Sequence, residues 1–199
     1  MPASTANPLS HHFLTMAYNN AWANFRLAKA CAQLSQEEFI APRISFFPSI
    51  KATLNHLLIV DWVYVEALER EGRGDAPHPN SYVFLAEREP CGTAAGWAAE
   101  QAKVDARLVT YCKTLRDADF DRVITILRPA GPIYETRTRL LSHVFQHQIH
   151  HRGQVHAMLS GTTVAPPQLD DFFRQTDAAD RADDFAELGW SESAIWGGA

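Results

Sequence analysis

At 199 residues and 22.2 kDa, with 46% hydrophobic content, the chain is long enough to bury a core as one domain spanning residues 1–199, without disulfide or metal staples. The formal charge of -5 is unevenly placed: residues 168–199 hold eight acids and two bases, which leaves about +1 for everything before them. Neither part carries the clustered Lys and Arg that a phosphate backbone requires, so no nucleic-acid partner is expected, and the stretch from about residue 168 reads as an acidic, solvated extension.

Cys31, Cys91 and Cys112 are odd in number and far apart, with no CxxC pair. That pattern speaks for buried free thiols in a reducing compartment and against a thiolate zinc site. No Lys or Arg precedes Arg26, and the apolar run from Leu57 to Val65 is interrupted by Asp61 and far too short to span a membrane. A cytoplasmic protein with no membrane partner is the expectation.

In chain order, Leu9 to Leu34 carries apolar or small residues at helical spacing (Leu14, Ala17, Ala21, Ala28, Cys31) and ends before Ser35-Gln-Glu-Glu. After a connector containing Pro42 and Pro48, Ser49 is placed to cap a second helix running to about Arg70. This helix is apolar nearly all round, with Leu54, Leu57, Leu58, Val65 and Leu68 on one face and Ile59, Val60 and Val63 towards another. Both faces must be buried, one of them by a neighbouring helix or a second subunit. Residues 71–80 read as loop, and a third helix is expected over Thr93 to Leu115. Two β-rich runs, Arg122 to Leu127 and Ile133 to Arg137, flank Pro129-Ala-Gly-Pro132 and fit a small hairpin. A fourth long helix would run from Thr138 to Ser160 and stop at Gly161, followed by a short helix from Ala178 to Leu188. The sum is an all-α four-helix bundle with a β-hairpin between helices three and four, an architecture that builds sites from side chains facing inward off neighbouring helices.

Five of the nine histidines fall between His143 and His156. At roughly 100° per residue, with His147 at zero, His143 lies near -40°, His150 near -60° and His151 near +40°, while the apolar set Leu140, Leu141, Val144, Val155, Met158 and Leu159 spans roughly 20° to 120°. His147 and His151 therefore flank the buried side, four residues apart, where two imidazoles can close on one divalent ion. His143 is a substitute, His150 turns towards solvent, and His156 lies across the helix. A third ligand candidate is His56, a polar residue inside the apolar second helix that needs some partner, whether an ion, a backbone carbonyl or a side chain of helix one. Asp61 shares the apolar side of that helix. It could orient a ligand histidine, but a structural pairing with an Arg, Tyr or Asn of helix one is the preferred expectation.

The segments Asn55-His56-Leu-Leu-Ile-Val-Asp61 and His147-Gln-Ile-His-His151-Arg152-Gly153-Gln154, with Tyr18-Asn-Asn-Ala-Trp22-Ala-Asn24 in the first helix, resemble the DinB/YfiT-like superfamily over about residues 10 to 175. The resemblance implies a four-helix bundle, commonly homodimeric, with a divalent metal held by His56, His147 and His151. It gives His143, His150 and His156 no role.

Three neutral imidazoles leave coordination positions open, as catalytic sites do. A cation there can activate water or a thiol, so metal-assisted hydrolysis and thiol transfer are both reasonable, and a non-catalytic metal-binding stress-response homodimer is the contrasting reading. The resemblance favours a transferase using a low-molecular-weight thiol on a small-molecule substrate. Imidazole ligands suit several metals, with zinc expected first and nickel next. Tyr18, Asn20, Trp22 and Asn24 could line a pocket, but bundle packing with internally satisfied amides is the stronger expectation. Arg152 could meet an anionic substrate or a surface acid, and Gly153 reads as a point of close helix approach.

Overall fold

The computed structural model describes residues 8–197. Its helices, in chain order, are α1 (Leu9–Cys31), α2 (Gln36–Ile40), α3 (Ile50–Arg73), α4 (Val83–Ala86), α5 (Ala94–Lys113), α6 (Arg137–Leu159), α7 (Ala182–Leu188) and α8 (Glu192–Trp196). A two-stranded antiparallel hairpin, β1 (Val123–Ile126) and β2 (Ile133–Thr136), precedes α6, with Val123 opposite Thr136 and Ile126 opposite Ile133. The four expected long helices are α1, α3, α5 and α6, and α1 and α3 each pack on both α5 and α6.

Local chemistry sets the helix ends. The Ser49 hydroxyl accepts a hydrogen bond from the Ala52 amide at 3.0 Å, and α3 closes three residues later than expected at Gly74, whose φ of 75° is left-handed. Thr93 and Thr136 cap α5 and α6 in the same way. Ser35-Gln-Glu-Glu does more than end the first helix. Ser35 and Glu38 form a reciprocal capping box that starts the short α2, which periodicity over five residues cannot reveal.

The core is built on fully buried Trp22, Leu27, Leu54, Leu57, Leu58, Trp97, Leu141 and Val144. Both apolar faces of α3 are covered within the chain, by α5 and α6 and by contacts with α2, α4 and β1, so no second subunit is needed to bury them. No helix among the described residues is long and apolar enough to cross a membrane.

The C-terminal segment corrects the expectation of a solvated tail. Phe172, Phe185 and Ile195 are buried, and the Phe172 ring lies 5.6 Å from Trp22 of α1. Several of the acids are held: Asp184 accepts from Arg26 Nε and Trp22 Nε1, and the two oxygens of Glu192 accept from Nε and Nη2 along one edge of the buried Arg181. Aromatic burial outweighs the acidic balance, and the segment becomes a wall of the bundle.

Candidate metal centre

His56 faces inward from α3 towards α6, where His147 and His151 stand one turn apart, and one ring nitrogen from each of the three lies within 4.8 Å of the others. The Nε2 atoms of His56 and His147 are 2.9 Å apart, and the ring centroids lie 4.5 to 4.9 Å from one another. His151 Nδ1 is 2.8 Å from Gln154 Oε1, an acceptor, so Nδ1 carries the proton and Nε2 keeps its lone pair. Gln154 Nε2 in turn reaches His150 Nε2 at 3.0 Å. The Phe47 ring covers His56 at 4.4 Å and approaches His151 at 5.5 Å, which makes the connector between α2 and α3 an aromatic wall of the site.

Burial pushes all three rings towards the neutral form. Desolvation, followed by the neighbouring His151, lowers His56 to about 4. His147 falls to about 3 from desolvation and then from His151, His56 and the outer histidines. His151 is also lowered by burial, against the opposing bond from Gln154. Three lone pairs are thus available at neutral pH, the state a divalent ion needs. The donors fit such an ion: a tetrahedral centre with Zn–N bonds of about 2.1 Å wants nitrogens about 3.4 Å apart, so His56 and His147 need spread by only about half an ångström. The remaining nitrogen of His147, Nδ1, is buried without a partner.

His143 and His150 are exposed, and His156 instead approaches the Pro167 carbonyl through Nε2 at 3.1 Å. The aromatic wall and the Gln154 link were not singled out from sequence. The i to i+3 spacing of His151 and Gln154 was the one available signal for the second.

Asp61 corrects the expected pairing with helix one. Its Oδ2 accepts from Gln101 of α5 at 2.9 Å and from Gln148 of α6, so it neither pairs with helix one nor touches a ligand histidine. It belongs to a buried polar layer. Asp105 accepts from Asn20, Asn24 and Gln101, while Arg152 Nη1 donates to Asn20, Asn24 and Gln148. Desolvation raises Asp61 to about 6 and Asp105 to about 7, the latter also pushed by Asp61. The amides of Asn20 and Asn24 are therefore satisfied internally, as expected, although Asn24 also lines a cavity of about 570 Å³. Arg152 meets no surface acid. Gly153 is not a point of close approach, since a Cβ built there meets nothing within 4 Å.

Among the described residues, cavities of about 570, 500, 560 and 210 Å³ lie elsewhere, and none of these is lined by His56, His147 or His151. The site instead sits at the bundle edge between α3 and α6.

The DinB family profile matches residues 1–183. Protein DinB of Bacillus subtilis (strain 168) is 30% identical over 152 residues, covering 74% of this chain and 85% of that protein. The uncharacterized protein YizA of the same organism is 25% identical over 125 residues, 63% of this chain and 72% of its own length. With its helical bundle, its hairpin and this extent of match, the chain belongs to the DinB family.

Proposed function

We propose that the chain holds one divalent ion through His56, His147 and His151 and is a metal-dependent enzyme acting on a small molecule, by transfer of a low-molecular-weight thiol to an electrophile. The observation that carries this reading is the convergence of three uncharged imidazoles, which no fourth His, Cys, Asp or Glu side chain among the described residues joins. When bound, the ion would lower the pKa of a thiol or water occupying its open position. The chain's own residues do the rest: Gln154 fixes the tautomer and orientation of His151, and Phe47 screens His56 from water and offers an apolar surface to a bound molecule. Hydrolysis is the alternative for the same arrangement, with water in place of the thiol. Zinc is the proposed metal, with nickel next.

Three buried free cysteines support a reducing, cytoplasmic setting, and a homodimer without nucleic-acid partners remains part of the proposal. A second reading, a metal-binding homodimer without turnover, is supported by the fact that cavities of about 570, 500 and 560 Å³ lie away from the three histidines.

Elemental analysis of untagged protein beside the His147→Ala, His151→Ala double variant, followed by a screen of thiols with electrophilic substrates, separates these readings. One equivalent of ion in the wild type, lost with turnover in the variant, supports the enzyme. A full equivalent without turnover supports the binding protein. Less than one equivalent in both proteins overturns the metal centre.

A further inference from the structure

On the opposite side of α6 from the three histidines, a cavity of about 500 Å³ opens between α1, α6 and the segment 168–173, a volume in the range that encloses small molecules. Its walls are tied in place: Arg26 Nη1 donates to the Gln168 carbonyl at 2.9 Å, and His156 holds the Pro167 carbonyl. Arg152 lines it, a residue only 5% exposed with Nη1 alone of its three guanidinium nitrogens hydrogen-bonded. A guanidinium that leaves its Nε and Nη2 donors unused at a cavity wall has the geometry to grip a carboxylate side-on. The same cavity is also lined by Asp170, an exposed acid, and Asn19, whose Oδ1 is buried without a partner. Both accept hydrogen bonds, as an ammonium group requires. Ile149, Phe172 and Phe173 supply the apolar lining.

Gly153 adds an independent observation. Glycine inside a helix costs about 1 kcal/mol relative to alanine, and here it packs against nothing, because a Cβ at this position points into open space on the cavity wall. Its effect is to leave the space free.

The geometry points to a second binding site, for a free α-amino acid with an apolar side chain: the carboxylate on Arg152, the ammonium between Asp170 and Asn19, and the side chain against Ile149, Phe172 and Phe173. Asp170 repels a simple carboxylate and Arg152 a simple amine, so the zwitterion is preferred to either half.

Calorimetric titration tests this with L-phenylalanine, 3-phenylpropionate and phenethylamine as probes, on the full chain with and without added zinc. Saturable binding of L-phenylalanine at one site is expected, with each half-probe weaker by about tenfold or more. Gly153→Leu should fill the cavity and abolish binding while raising or preserving helicity, and Asp170→Asn should weaken the zwitterion by about tenfold. Neither variant removes a core contact. No saturation at millimolar L-phenylalanine, equal binding of a half-probe, or undiminished binding in Gly153→Leu would each overturn the assignment. So would an affinity that follows the zinc content, because that would place the ligand at the histidines.

Discussion

The Nε2 atoms of His56 and His147 face each other at 2.9 Å across the α3–α6 seam, two basic nitrogens held in contact although burial keeps both rings from taking up charge. In the absence of a cation, one of them must donate to the other. An ion shared with His151 lets all three act as donors of lone pairs, which relates the fold of the seam directly to its ligand chemistry.

The His147→Ala, His151→Ala double variant is expected to lose the ion and to keep its helical circular dichroism. Leu54, Leu57, Leu141 and Val144 carry the seam by burial, and coordination adds stability only in proportion to ligand occupancy. A collapse of helicity in the variant would mean that the ion is structural.

Removing the Ser49 cap by Ser49→Ala is expected to destabilise the protein by about 1 kcal/mol, because the Ala52 amide loses its acceptor. Denaturant midpoints measure the change. Metal stoichiometry should not alter, since His56 lies almost two turns further along α3 and is placed by packing.

The buried carboxylates set a pH dependence with a defined sign. Asp105 is raised to about 7 and Asp61 to about 6 from an ordinary value of 3.8, so between those limits the folded chain binds more protons than the unfolded one. Their contribution to stability is therefore fully present below about pH 4 and is lost as the pH rises through 6 to 7. Asp105→Asn should make the slope of stability against pH less negative across this interval, whatever it does to the absolute level. An unchanged slope in urea titrations from pH 4 to 8 would contradict the raised value.

Burial pushes the thiols of Cys31 and Cys112 up to about 12, and Cys91 is raised as well. Thiolates are the reactive form, so a disulfide reagent at pH 8 should label Cys31 and Cys112 only as fast as the chain unfolds, with Cys91 reacting first. Quantitation of three thiols in denaturant against few in native protein checks this. Prompt labelling of Cys112 would show that α5 opens locally.

The long helices, the hairpin and the shared face of His147 and His151 were legible in sequence because each follows from a local rule: apolar period, capping residue, or i to i+4 stacking. The pairing of Asp61 was not. A buried carboxylate announces that it needs donors, but the choice of Gln101 and Gln148 over helix one depends on which helices are neighbours, a matter of side-chain volumes at the seams. The C-terminal segment was misread for a related reason. Net charge counts acids at any depth, whereas Arg26, Lys29 and Arg181 neutralise several of them in place and let Phe172, Phe185 and Ile195 dock.

The sequence by itself determined where the four long helices lie and which histidines of the last could share a face, because hydrogen-bonded caps and the helical repeat act over a few residues. Tertiary structure alone decided that His56 meets the other two, that Phe47 shields them, that Arg152 is held by amides, and that Gly153 opens onto a cavity. These are distances between segments up to 132 residues apart, fixed by how the whole core packs rather than by any stretch of chain.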